Sequence, residues 1–148
     1  MTTLALSVVL QAAIAATPGQ SYSEAFAQSF QTGQPLVVLL GADWCPACLQ
    51  MKKSILPQVA RAGGLNGIAY AYVDLDREPQ LAAKLSQGSS IPQLIRFEQR
   101  GADWRSDLLT GAHSPRKVTD FVQGGRGKDG TQDGWAARLT GWAQAVTG

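Results

Sequence analysis

The chain of 148 residues is poor in the side chains from which most metal and catalytic centres are assembled: two cysteines, a single histidine, and 16% charged residues. A closed zinc site takes four ligands, and one cysteine pair with the distant His113 and scattered carboxylates does not supply them. So few cysteines also exclude a disulfide-stapled scaffold. The fold must rest on an apolar core, for which 148 residues with 45% hydrophobic content are ample. The formal charge is only +2, and lysines and arginines are interspersed with aspartates and glutamates. That pattern lacks the basic stripe of a nucleic-acid-binding face, so no nucleic-acid partner is expected.

The apolar run at residues 4–16 carries no charge, yet it falls short of the ~20 residues that a membrane-spanning helix needs. Its length is that of a signal-peptide core, and Ala13-Ile14-Ala15 supplies a small-x-small cleavage pattern, although no Lys or Arg precedes it. The expectation is export, periplasmic or otherwise extracytoplasmic, with residues 1–20 a signal peptide or apolar N-terminal segment. If residues 1–16 are retained, the segment becomes a helix packed on a cytoplasmic domain. Membrane association is not expected of the mature domain, which is read as a monomer.

Both cysteines lie in Ala42-Asp43-Trp44-Cys45-Pro46-Ala47-Cys48, at a seam between two patterns. The residues before it, 35–41, form a continuous apolar run of strand length, as in a strand covered on both faces. After it, Cys48, Met51, Ile55 and Val59 recur at helical spacing, which predicts a helix starting at or just before Cys45. A cysteine there faces unpaired backbone N–H groups and the positive end of the helix dipole. Such surroundings bring a thiol from about 8.5 to roughly 3.5–7.5. The i, i+3 spacing sets Cys48 beside Cys45 on one face, within disulfide reach. A structural disulfide, half of a zinc site and two inert thiols are the competing readings. A disulfide closing so short a loop restrains the unfolded chain little, which favours a redox-active pair.

The remaining chain reads as alternating elements. Residues 21–33 predict a helix capped by Ser21 or Ser23, with Tyr22, Phe26 and Phe30 at i, i+4, i+8 facing the core. Pro57 predicts a kink or break near Leu56 in the helix after Cys48. Residues 68–73 predict a strand parallel to the first. The run 74–79 lacks the glycine and further oxygen ligands of a calcium loop, so it is read as a strand end followed by a helix over 80–87 with Pro79 in its first turn. Residues 93–98 and 104–109 predict an antiparallel hairpin. Ser114 and Pro115 open a helix whose Val118, Phe121 and Val122 face inward. The glycine-rich residues 124–130 have the wrong spacing for a phosphate loop and no preceding strand, so they are read as a linker. Trp135, Leu139, Trp142 and Val146 then mark an amphipathic C-terminal helix. His113 is read as a loop residue.

Trp44-Cys45-Pro46-Ala47-Cys48 between a buried strand and a helix, with Ile91-Pro92 one βα unit later, resembles the thioredoxin-like superfamily over residues 21–122. The resemblance implies an α/β fold of three layers, a mixed central sheet flanked by helices, here with an extra C-terminal helix. It divides the chain into an N-terminal segment 1–20, a thioredoxin-like domain 21–123, and a linker with the C-terminal helix 124–148. It implies that Cys45 is the nucleophile, that Cys48 resolves the mixed disulfide, and that the Ile91-Pro92 bond is cis and faces them. Trp44, Pro46, Ile91 and Pro92 are then the candidate substrate-binding residues. Two departures stand out: the family's buried aspartate beneath the cysteines falls on Leu39, and a lysine of the next strand falls near Tyr72. The Pro46-Ala47 spacer also differs from the Gly-Pro of thioredoxin itself.

The expected activity is thiol-disulfide exchange with protein or small thiol and disulfide substrates and a separate redox partner, with no cofactor and no metal. The alternative is a binding module on the same fold that carries a soft metal such as Cu(I), or docks a partner, through the cysteine pair.

Overall fold

A computed structural model describes residues 20–125. The apolar N-terminal run and the C-terminal helix expected from Trp135 to Val146 both lie outside the described residues. The elements run α1 (Tyr22–Thr32), β1 (Leu36–Gly41), α2 (Pro46–Gln50), a π-helical turn (Met51–Ile55), α3 (Leu56–Arg61), β2 (Ala69–Asp74), α4 (Pro79–Leu85), β3 (Gln93–Arg100), β4 (Asp103–Thr110) and α5 (Pro115–Val122). The strands form one mixed sheet in the order β2-β1-β3-β4. β1 and β2 are parallel, and β3 runs antiparallel to both β1 and β4.

β1 explains the layering. All six of its residues are buried, because successive side chains point to opposite faces and each face is covered by helices. Val37 and Leu39 enter a core with Met51, Ile55, Leu56, Val59, Val118, Phe121 and Val122. Leu36, Val38 and Leu40 enter a second core with Ala25, Ala82, Leu85, Ile95 and Phe97. Burial of each such aliphatic side chain stabilises the fold by roughly 1.5–3 kcal/mol relative to exposure. β2 alternates the same way: Tyr70 and Tyr72 face the first core, Ala69, Ala71 and Val73 the second.

α1 starts at a capping box in which Ser21 and Glu24 bond each other's backbone N–H groups, and it ends at Gly33 in the left-handed region. The Ser21 backbone N–H and hydroxyl hold the Glu24 carboxyl below its usual range. The aromatic repeat of this helix is only partly core. Tyr22 and Phe26 are half-buried, but Phe30 is 56% exposed. Four residues overshoot a full helical turn by about 40°, so the third member of an i, i+4, i+8 row rotates toward solvent. Ala25 and Ser29 are the fully buried residues of α1.

Pro57 does not break its helix. Helical backbone continues from Pro46 to Arg61, with the π-helical turn Met51–Ile55 just ahead of the proline. The widened turn gives room where the proline ring would press on the carbonyl four residues back. α4 starts at Pro79 and ends at Leu85, one residue earlier at its start and two at its end than the predicted span. Arg96, buried on β3, donates through Nε to the Val122 carbonyl at 3.0 Å and so ties the end of α5 to the sheet.

Candidate functional site

Cys45 ends the turn after β1 and caps α2, with Pro46 as the first helical residue. Proline is suited to that position because its missing N–H would have no partner there. The two cysteines form a disulfide with a Cα–Cα separation of 5.2 Å. The Cys45 sulfur also accepts the backbone N–H of Cys48 at 3.2 Å. Cys45 is 7% exposed and Cys48 is fully buried, so the first sulfur lies nearer the surface. Ala42 and both cysteines form a small cluster of their own, against which Ala47 and Ile91 pack.

The candidate substrate-binding residues divide. Ile91 lies against the cysteine cluster and is half-buried. The Ile91-Pro92 bond is cis, and Pro92 is buried, with its carbonyl accepting the Gly111 N–H at 2.8 Å. Pro46 is exposed on the helix start. Trp44 is 67% exposed, and its indole Nε1 donates to Asp76 at 2.9 Å. Trp44 and Pro46, on either side of Cys45 in the chain, are thus both exposed.

Gln93 positions the Ile91-Pro92 turn, and no motif in the sequence marks it. Its fully buried carboxamide accepts the Gln87 N–H at 2.9 Å and donates to the carbonyls of Gln87 and Ser90 at 3.1 and 2.8 Å. One side chain thus satisfies both ends of the segment between α4 and β3, which regular backbone pairing does not reach.

A polar group beside the cysteines also escaped the motif reading. The register pairs Leu39 with Tyr72 and Gly41 with Asp74. The Tyr72 hydroxyl donates to Asp74 at 3.2 Å, and the backbone N–H groups of Asp76 and Arg77 donate to the same carboxylate. Burial opposes ionisation of Asp74, but these bonds outweigh it and hold the carboxyl below its usual range. Burial, then the adjacent Asp74 charge, push the Tyr72 hydroxyl upward, so it stays protonated. Asp43 accepts from Lys52 at 3.4 Å and from Arg77 at 2.7 Å. The Lys52 ammonium lies 3.8 Å from the Tyr72 ring centroid. The signal for this group was the pairing of β1 with β2, which a residue-by-residue motif search does not use. His113 bonds the Thr110 carbonyl at 2.9 Å, as suits a loop residue.

A C-x-x-C disulfide at a strand-to-helix turn of this mixed sheet defines a thioredoxin-like fold. No protein-family model and no curated protein matches the chain. Solved structures do. A thioredoxin from Thermus thermophilus is 22% identical, covers 73% of this chain and 85% of its own, and superposes with a TM-score of 0.58. Chloroplastic thioredoxin z is 20% identical over 71% of this chain and 89% of its own, with a TM-score of 0.57. Trxlp from Edwardsiella tarda EIB202 is 26% identical over 70% of this chain and 95% of its own, with a TM-score of 0.51.

Proposed function

We propose that the protein is a thiol-disulfide oxidoreductase that exchanges disulfides with protein or small thiol substrates through Cys45 and Cys48. The observation carrying this reading is the Cys45-Cys48 disulfide at the start of α2, with Cys45 slightly exposed and Cys48 fully buried. In the reduced protein, the Cys45 thiolate attacks a substrate disulfide and forms a mixed disulfide, releasing one substrate thiol. Cys48 then attacks Cys45, closing the protein disulfide and releasing the second thiol. The reverse sequence oxidises a substrate dithiol. The Cys48 N–H that reaches the Cys45 sulfur also favours a Cys45 thiolate, which lowers the barrier to the first attack.

Trp44, Pro46 and Ile91 form the proposed substrate surface, with the buried Pro92 supporting Ile91 from behind. An extended substrate segment would lie along the Ile91 backbone, beside the disulfide. Export is proposed on the strength of the apolar run at residues 4–16.

Catalysed reduction of insulin by dithiothreitol, followed by turbidity, tests the activity; metal analysis of the purified protein tests the carrier alternative. Turnover by metal-free protein supports exchange, whereas stoichiometric copper with no turnover contradicts it. The direction of electron flow follows from the reduction potential: about −270 mV favours a reductase and about −120 mV an oxidant.

A further inference from the structure

The resolving cysteine sits at the bottom of the site, fully buried, and must ionise there before it can attack. Burial in apolar surroundings opposes that ionisation. Three observations connect it, through the Tyr72 ring, to Lys52. A side chain on Gly41 would place its Cβ 3.1 Å from the Cys48 sulfur and 3.5 Å from Cε2 of Tyr72, so the ring edge and the sulfur flank one small space. The Lys52 ammonium lies 3.8 Å from the centroid of that ring. Lys52 is also four residues beyond Cys48 along the helical backbone, a spacing that brings side chains to the same side.

We propose that Lys52 is a positioning residue for the resolving step, its ammonium held on the Tyr72 ring to favour the Cys48 thiolate. The inference rests on the exchange reading given above. An aromatic face attracts a cation, and here it fixes a flexible lysine on the cysteine side of β2. Asp43, in the turn before Cys45, also pairs with the ammonium through one oxygen and with Arg77 through the other. Asp74 is the opposing charge, with its oxygens occupied by the Tyr72 hydroxyl and two backbone N–H groups. Asp76 is engaged by Trp44. Ile91, from the loop before β3, packs against the cysteines with no charge of its own. Among the groups around Tyr72, Lys52 is the cation on the ring itself.

The step balances without a further reactant. Cys45 carries a mixed disulfide, the Cys48 proton passes to solvent, and the Cys48 thiolate attacks the Cys45 sulfur. The Cys45-Cys48 bond forms, the Cys45-substrate bond breaks, and the substrate thiolate leaves with the electron pair. Both protein thiols have then been oxidised and one substrate disulfide reduced to two thiols.

The test uses reduced full-length protein and the chromogenic disulfide dithiobis(nitrobenzoate). The first thionitrobenzoate reports attack by Cys45 and the second reports resolution by Cys48, both followed by stopped-flow absorbance across pH. In wild type the second release should follow a titration. In Lys52→Met its midpoint should rise by about one pH unit, slowing release at neutral pH by roughly 3- to 10-fold. Lys52→Arg should restore the wild-type profile. Thermal melts of both variants separate this from loss of folding, and a merely structural lysine would not move the midpoint. An unchanged midpoint in folded Lys52→Met overturns the inference and leaves the exchange reading intact. Absence of a second release in wild type overturns both, because Cys48 would then resolve nothing.

Discussion

Gly41 and Cys48 are in such close approach that a Cβ added to the glycine would fall 2.9 Å from the cysteine Cβ. The contact joins the last residue of β1 to the helix that carries the cysteine pair, and hydrogen is the only side chain that fits there. Gly41→Ala should therefore push α2 away from the sheet, destabilising the protein by about 1–3 kcal/mol as overpacked cores do. Urea unfolding measures this. Stability equal to wild type would mean that the helix yields without cost.

Asp74 offers a second prediction, in which pH provides the control. Asp74→Ala removes the acceptor for the Tyr72 hydroxyl and for two backbone N–H groups, which should cost about 1–3 kcal/mol at neutral pH. The carboxyl is held below its usual range in the folded protein. Its ionised form thus contributes stability above the ordinary unfolded value of about 3.9, and that contribution disappears as pH falls through the lowered folded value. Unfolding measured over a pH series should show the difference between wild type and variant shrinking below about pH 4. A difference that grows on acidification would reverse the assigned sign.

Gln93 should prove to be the anchor of the turn that carries Ile91 and Pro92. Gln93→Leu keeps the buried volume but removes the acceptor for the Gln87 N–H and two donors. Hydrogen exchange at the Gln87 amide should accelerate by at least about tenfold, the equivalent of losing ~1.4 kcal/mol of local protection. Protection equal to wild type would show that the turn is held by other contacts.

These residues also mark how far the sequence could be read. The strand before the cysteines, the helix after them and the Ser114-Pro115 helix start were legible because each has a local signature of period, cap or proline. The Cys45-Cys48 pair was legible for the same reason. Phe30 was misplaced because periodicity identifies an apolar face but not how much of it a neighbouring layer covers. Of the kink or break that Pro57 predicts near Leu56, the helix shows an irregularity at that place but no break, because a π-helical turn absorbs a proline in a way that local propensity does not anticipate. Gln93 and the Lys52-Tyr72-Asp74 group were hidden for a different reason. Their roles depend on pairing between strands and on bonds to distant backbone, and a buried glutamine looks like any surface glutamine until its partners are placed.

The proposal of export has a chemical readout. Expressed in a bacterium with its native N-terminus, the protein should mature to a chain beginning near Ala16, as identified by intact mass and N-terminal peptide mapping. A cellular protein still beginning at Met1 or Thr2 would contradict export and make residues 4–16 part of the retained chain.

Attack by Cys45 and resolution by Cys48 are separated by trapping with a disulfide-bearing protein substrate. Reduced Cys48→Ser and Cys45→Ser variants, each incubated with insulin, would be separated without reductant and the cross-linked cysteine mapped by mass. Cys48→Ser should accumulate a mixed disulfide at Cys45, because no second thiol remains to release it, while Cys45→Ser should accumulate none and show no turnover. Accumulation through Cys48 in the Cys45→Ser variant, with none at Cys45 in the other, would contradict the assignment.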